Sequence, residues 1–553
     1  MNDTLAAAPL AAPRQRLARR WPGWALALPV ALLTLIPVLT VLGVALSPQP
    51  EVWDHLIQYV LPRVTANTAL LMLLVSVGVL CVGVPLAWLT ALCAFPGQRF
   101  FSWALMLPLA FPAYVLAFVQ MGLFEFAGPV QSQLRVWFGS SAWFPEIRGS
   151  LWGTVMVLTM AFYPYVYLLA RNAFMTQGRR ALEAARTLGH SAPRAFWRVS
   201  VPMARPWIAG GLALALMETL ADFGAVAVFN YDTFTTALYK AWFDLHNLDA
   251  AAQLAALLVL VVLVLAAAEQ RSQQGRSYQV ASRHTPPVAL RGWHRWAAFA
   301  VCALVFTASF AIPIVQLVMW SLSTWREELE PRYWDFTLNT VMLALGTAAI
   351  ATLLSIALAW VRRHHPDRAT GWTVRLAIIG YAVPGAVLAV GVFIPIAWLD
   401  NLLIAWLQPL GFEGFQLLKG SVATMLLALS ARFLAVAYHA TDSAMQRITR
   451  SQEESARTLG LGTWAMLRRL YLPLLRGGLL TAFLMVMVDV MKEMPITLMT
   501  RSFGWDTLAV RIFQLTSESM WANAAVPALA IVAVGLLPVV LIVRQTDRRT
   551  GGG

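Results

Sequence analysis

Apolar residues run along this chain in uninterrupted stretches of about 20, the length needed to cross a hydrocarbon core about 30 Å thick at 1.5 Å per residue. Reading apolar runs bounded by charge gives twelve: 24–46, 66–94, 101–124, 151–170, 206–230, 250–268, 297–322, 338–361, 376–398, 421–442, 477–500 and 521–543. Six fall on each side of a polar break, 269–296, which holds Arg271, Arg276, Arg283, Arg291, Arg295 and a Pro286-Pro287 pair and reads as a linker. The pattern predicts an all-α polytopic membrane protein: a tail (1–23), a six-span unit (24–268), the linker, a second six-span unit (297–543) and a tail (544–553). Arg14, Arg16, Arg19 and Arg20 precede the first run as they would in a signal peptide. That run is too long for a signal-peptide core and no clear cleavage site follows, so it reads as the first span.

Composition agrees, since the 553 residues are 59% hydrophobic and 12% charged, against about 25% charged in a soluble chain. The net charge of +14 would point to nucleic acid in a soluble protein. Here it orients loops instead. With the N-terminus inside, inside segments hold 30 Lys and Arg and outside loops hold 9; Arg432 and Lys492 lie within spans and complete the 41. This asymmetry puts both termini and the linker in the cytoplasm and calls for no nucleic-acid partner. Cys81, Cys93 and Cys302 lie in or beside apolar runs without the spacing of a metal cluster or disulfide framework.

The two largest inside loops, 171–205 and 443–476, resemble each other. Glu183-Ala184-Ala185-Arg186-Thr187-Leu188-Gly189 matches Glu454-Ser455-Ala456-Arg457-Thr458-Leu459-Gly460 at six of seven positions, at an offset of 271 residues. The offset persists: Val199-Ser200-Val201-Pro202 aligns with Leu470-Tyr471-Leu472-Pro473, Arg205 with Arg476, Glu218 with Asp489, and Asp222 with Glu493. Six spans per copy make the repeats parallel, related by an axis along the membrane normal. Each loop is expected to form a short helix ending at Gly189 or Gly460, then a second helix opening near Ser191 or Thr463. The small pairs Ala184-Ala185 and Ser455-Ala456 leave room for another surface to approach. A basic helix lying on anionic lipid needs only net charge, so it does not account for the matched Glu, small pair and Gly.

These loops resemble the signature of the membrane permeases of binding-protein-dependent ABC importers: Glu-Ala-Ala, three residues, Gly, nine residues, an aliphatic position and a closing Leu-Pro or similar pair. Glu183 to Pro202 fits, and Glu454 to Pro473 fits with Ser455 for the first Ala. The resemblance covers essentially the whole chain. It implies the type I importer permease fold and a place in the bacterial inner membrane. It further implies that Glu183, Ala184, Ala185 and Gly189, with Glu454, Ser455, Ala456 and Gly460, dock against two copies of a cytoplasmic ABC ATPase. It implies as well a periplasmic substrate-binding protein that delivers the substrate. The chain has three lysines, Lys240, Lys419 and Lys492, none in a phosphate-cradling Gly-x-x-x-x-Gly-Lys-Ser/Thr motif. ATP and Mg²⁺ therefore belong to the partner, and this chain is expected to bind no cofactor and to be no enzyme. A secondary transporter would share the twelve spans and the parallel two-fold but has no use for paired docking loops. A membrane enzyme would need a catalytic constellation, which the scattered histidines do not form.

The fifth span of each half carries acids where they are costly, roughly 2.5–3.5 kcal/mol at a helix centre. Glu218 and Asp222, like Asp489 and Glu493, stand four apart and share a helix face. Counted from Arg205, they lie about 20 and 26 Å along the axis, in the outer half of the membrane. Three readings stay open: the acids end a helix and anchor a loop, with Lys492 neutralising Glu493; they line a path or gate; or Asp222 and Glu493 touch the substrate in passing, with no stable metal site. Tyr163, Tyr165 and Tyr167 cannot all face one path, so at least one is expected to be an interfacial anchor. Arg432 is expected to pair within the bundle or line the inner cavity.

The stretches 218–224, Thr233 to Ala237 with Ala241 to Phe243, and Lys492 to Pro495 running on to Arg501–Gly504 resemble the fused permeases of the iron(III)-importing branch. Carboxylates suit a hard cation. Fused permeases for thiamine, phosphonates or other small anions share much of the pattern. A bulky residue at Gly189 or Gly460 is expected to uncouple ATP hydrolysis from transport while the chain still inserts. Normal transport in both variants would remove the docking assignment.

Overall fold

The computed structural model describes residues 22–46, 50–178, 194, 196–273, 288–410 and 417–550. Among them, twelve helices are long and apolar enough to cross a membrane. The first half contributes α1 (Gly23–Ala45), α2 (Trp53–Leu92), α3 (Ala113–Phe124), α4 (Leu151–Thr176), α5 (Phe196–Ala221), α6 (Gly224–Val228), α7 (Phe234–Phe243) and α8 (Leu248–Gln273). The second half contributes α9 (Trp293–Glu328), α10 (Pro331–His364), α11 (Arg368–Ala377), α12 (Gly385–Leu407), α13 (Val422–Met445), α14 (Arg450–Thr458), α15 (Trp464–Lys492), α16 (Pro495–Thr500), α17 (Leu508–Ser517) and α18 (Trp521–Thr550). One short parallel ladder interrupts the helical plan, β1 (Cys93–Ala94) pairing with β2 (Val288–Ala289), and fixes the end of the linker to the end of α2.

Four spans break within their apolar runs. The run 101–124 splits into a helix over Gln98–Ala104, a 3₁₀ turn over Leu107–Ala110, and α3 beginning after Pro112. The run 376–398 splits likewise into α11, a 3₁₀ turn over Ile379–Tyr381, and α12 beginning after Pro384. A proline disfavours helical geometry in the residue before it and offers no N–H, so it opens a helix and cannot continue one. The runs 206–230 and 477–500 end instead at Ala221 and Lys492, where Asp222 and Glu493 turn extended. Apolarity continues across all four breaks, which is why a hydropathy reading passes through them.

The repeat extends to contacts that the motif does not show. Asn67 Nδ2 donates to the Asp232 carbonyl at 3.0 Å, and Asn339 Nδ2 to the Asp506 carbonyl at 3.1 Å. Ser150 caps α4 and Ser421 caps α13 through their side chains. The halves also interlock. α1 packs along α11 and α12 of the second half, with Thr34 Oγ1 donating to the Ala377 carbonyl at 2.9 Å. In exchange α9 lies on the first half: Trp320 stacks on Phe118, and Ser309 Oγ lies 3.4 Å from the Tyr163 hydroxyl.

The α1–α12 crossing leaves no space at Gly391, where a Cβ would press on the Pro37 backbone carbonyl. Gly391→Leu is expected to destabilise the protein by about 1–3 kcal/mol, read as a lowered unfolding temperature in detergent. Gly477→Ala, inside α15 where nothing lies within 4 Å of the added atom, should not lower that temperature, because alanine is the better helix former.

Candidate translocation cavity and coupling surface

The four breaks converge on one cavity of about 170 Å³ between the halves. Its lining includes Phe111, Pro112 and Tyr114 from the break before α3, Tyr381 from the break before α12, and Asp222–Gly224 and Glu493–Pro495 from the breaks after α5 and α15. Irregular backbone at membrane depth is tolerated where it is buried in protein or lines a cavity, and its freed polar groups need partners there.

Asp222 and Glu493 supply them. Asp222 Oδ2 accepts from the N–H groups of Ala225 and Val226 at 3.0 and 3.1 Å, and so opens α6. Glu493 Oε1 accepts from Ile496 N at 2.9 Å and Oε2 from Thr497 N at 3.2 Å, and so opens α16. A threonine hydroxyl closes each turn, Thr235 donating to the Asp222 carbonyl and Thr497 to the Glu493 carbonyl. Each acid therefore ends a helix, as one of the sequence readings had it, and also lines the cavity. Glu218 and Asp489 line the same cavity one turn earlier, so all four carboxylates surround one space.

The cations all come from the second half. Arg432 Nη1 lies 3.6 Å from Glu493 Oε1, and Lys492 Nζ lies 3.3 Å from Asp489 Oδ1. Lys492 is thus assigned to Asp489 and not to its neighbour Glu493, because the helix puts residue i+3 on the same face and residue i+1 off it. Gly385 makes room for this group, since a Cβ there would press on both Arg432 and Glu493. At the 271-residue offset, Ala161 and Ala221 stand where the second half has Arg432 and Lys492. Glu218 instead accepts a hydrogen bond from the Tyr381 hydroxyl at 3.2 Å, across the boundary between halves. The cavity is pseudo-symmetric in its acids and asymmetric in its cations.

Sequence reading missed Tyr114 and Tyr381, which sit beside the repeated prolines; the pre-proline break was the signal that would have found them. The three tyrosines of α4 also resolve differently from expectation. Tyr163 and Tyr167 are fully buried and donate to the carbonyls of Leu105 and Ser102 at 2.9 and 3.0 Å. They satisfy the broken third span and anchor to no interface, while Tyr165 faces the cavity. Among the described residues, no group of three or more His, Cys, Asp or Glu side chains is gathered closely enough to hold a metal ion.

Of the two repeated loops, 179–193 lies outside the described residues, and with it Glu183, Ala184, Ala185 and Gly189. The other is α14. Thr449 and Gln452 form a reciprocal capping box at its start. At its end Gly460 takes φ +78°, the left-handed conformation that favours glycine, and a new helix opens at Thr463. Glu454 and Ser455 point outward beside the exposed Leu459 and Trp464, whereas Ala456 is 6% exposed and packs inward. The small side chain at 456 therefore lets α14 sit close to its own protein. Arg363, at the end of α10, fastens that seat: it pairs with Glu453 and donates to the carbonyls of Met445 at 3.0 Å and Ile448 at 2.6 Å.

A family model described as "Binding-protein-dependent transport system inner membrane component" matches residues 83–276 and 351–552, one copy on each half. The chain belongs to this family, the inner-membrane permeases of ABC importers. It is 26% identical over 539 residues to the Fe(3+)-transport system permease protein FbpB 2 of Haemophilus influenzae, covering 95% of this chain and 98% of the relative. It is 25% identical to the putative 2-aminoethylphosphonate transport system permease protein PhnV of Salmonella typhimurium over 46% of this chain and 96% of the relative. It is also 29% identical to the molybdenum transport system permease protein ModB of Escherichia coli over 33% of this chain and 79% of the relative.

Removing one member of a buried ion pair costs more than removing both, because the survivor is left buried without a partner. Arg432→Met is therefore expected to lower the unfolding temperature more than Arg432→Met combined with Glu493→Gln. If the double variant is the less stable one, the Arg432–Glu493 contact does not hold the cavity wall.

Proposed function

We propose that this chain is the translocation subunit of an importer that passes iron(III) from a periplasmic binding protein to the cytoplasm. The observation that carries the substrate is the match to an iron(III) permease along nearly its whole length, both repeats included. The cavity chemistry supports it: carboxylates and tyrosine hydroxyls are hard oxygen donors. Asp222 and Glu493 offer a passing cation a brief contact, and Asp222 is the one of the two whose half adds no cation to the cavity lining. Arg432 and Lys492 favour a second reading, a small oxyanion such as a phosphonate, consistent with the relatives that match one half or less.

In this reading both termini face the cytoplasm, and two ATPase copies seat on 171–205 and 443–476, touching Glu183, Ala184, Ala185 and Gly189 and their counterparts Glu454, Ser455, Ala456 and Gly460. Closure of the ATPase pair on ATP and Mg²⁺ drives the loops as rigid bodies. Arg363 carries the motion of α14 into α10, and the halves rock about the cavity, with Glu218, Asp222, Asp489 and Glu493 as its path or gate. Because α1 and α9 cross between halves, the rocking body is each half with its partner's first helix.

The test is ATPase stimulation in lipid by the candidate binding protein with and without iron(III). Stimulation several-fold greater with the iron-loaded form is expected. Stimulation by a phosphonate-loaded protein and none by the iron-loaded one would keep the importer and discard the metal. Asp222→Asn with Glu493→Gln, which keeps an oxygen acceptor at each helix start, is expected to reduce uptake while the protein remains folded. Unchanged uptake would leave both acids as helix caps alone.

A further inference from the structure

On the side of the molecule that carries α14, a recess of about 480 Å³ opens among α10, α11 and α13, away from the translocation cavity. Arg362, Arg363, Arg375 and His439 line it, with Asp442 as the carboxylate of its lining. Arg363 is committed to Glu453 and two carbonyls, and Asp442 accepts from Gln446 at 2.7 Å. Arg362 gives one N–H to the Asp367 carbonyl at 3.2 Å, and its guanidinium lies over Gly371, where a side chain would meet it. Arg375 is exposed, stacked near the Trp372 ring at 5.3 Å. Two guanidiniums thus present most of their donors to one small space, in the forked geometry that suits a phosphate.

Tyr438, His439 and Gln446 keep the α13 side of the recess polar, and apolar side chains lie on its α11 side. Val374 and Ile378 line its α11 side, and Trp372 and Leu376 on the same helix are 62% and 38% exposed. α11 is a ten-residue amphipathic helix at the end of a membrane span, capped by Asp367, whose carboxylate accepts from Thr370 N and Oγ1 at 2.8 and 2.7 Å. Those bonds hold its pKa below the usual carboxylate value. A tryptophan and arginines on such a helix place it at the lipid–water boundary. The repeat does not account for the recess: with Asn67 and Trp88 aligned on Asn339 and Trp360, Thr90 and Ala91 stand at Arg362 and Arg363.

We propose that this recess holds the phosphate of an anionic phospholipid, with Arg362 and Arg375 on the headgroup and an acyl chain along Ile378 and the exposed Trp372 and Leu376 of α11. Basic pockets between membrane helices on the cytoplasmic side take such headgroups, and the apolar wall beside the arginines favours a lipid over a free anion. Arg363 and Met445 line the recess and also seat α14, so an occupied site stiffens that seat and raises coupled ATPase activity. The binding claim is independent of the iron reading; the activity consequence rests on the permease reading.

The complex with its ATPase is placed in nanodiscs of phosphatidylcholine alone or with phosphatidylglycerol, without binding protein or substrate. Retained lipid is measured after delipidation in detergent, and ATPase activity is measured in the discs. Wild type is expected to retain phosphatidylglycerol several-fold better than the variant carrying Arg362→Gln and Arg375→Gln, and only wild type is expected to gain activity from it. The variant carrying Arg362→Lys and Arg375→Lys keeps the charge and should recover part of both. Equal retention by wild type and the Gln variant, with equal unfolding temperatures, overturns the site. Inorganic phosphate that reproduces the activity gain in phosphatidylcholine discs overturns the lipid and puts a free anion in its place. Lipid retention that differs without any change in activity keeps the site and overturns its action on α14.

Discussion

A helix that breaks inside a membrane must find partners for the N–H and C=O groups it releases, because lipid offers none. This protein breaks four membrane segments, at Pro112, Asp222, Pro384 and Glu493, and gathers all four breaks at one place. Asp222 and Glu493 take up the N–H groups at the start of the helices that follow. Tyr163 and Tyr167 take up carbonyls of the broken third segment. The cavity exists because the breaks are there, and the acids are there because the breaks need them. One carboxylate in each half both caps a helix and faces the central space.

The same economy sets the electrostatics. Two copies of the acid pair are retained, but the compensating cations belong to one copy, Arg432 on Glu493 and Lys492 on Asp489. The first half leaves Glu218 to a tyrosine contributed by the second. A parallel repeat therefore encloses a cavity whose acids come from both halves and whose lining cations come from one. The exchange of α1 and α9 between halves packs each half against the first helix of the other.

Away from the cavity, α14 is held from within. Its inward face is Ala456, its end is turned by Gly460, and its seat is Arg363, which bridges α10, α13 and α14. Glu454 and Ser455 are left outward for a partner. Three hydrogen-bonding contacts from the part-buried Arg363 guanidinium make α14 stiff against its own protein. The basic recess beside it shares part of that seat through Arg363 and Met445.

Much of this architecture was legible in the chain. Twelve spans follow from apolar runs, because burial in lipid acts on each segment separately. The repeat and the family signature follow from Glu454 to Gly460 standing 271 residues after Glu183 to Gly189, a likeness that needs no fold to be seen. The short helix, its glycine terminus and the restart at Thr463 were local and came out as expected. The breaks were half legible: Pro112 and Pro384 carry a local signal, but the hydropathy running through them does not. Tertiary structure alone decided the rest. That Lys492 answers to Asp489 and Arg432 to Glu493, that Tyr381 reaches Glu218, that Ala456 turns inward, and that α1 and α9 cross between halves are facts about pairs of segments far apart in the chain. Periodicity and composition describe each segment against its solvent, and they hold no information about which segments the packing brings face to face.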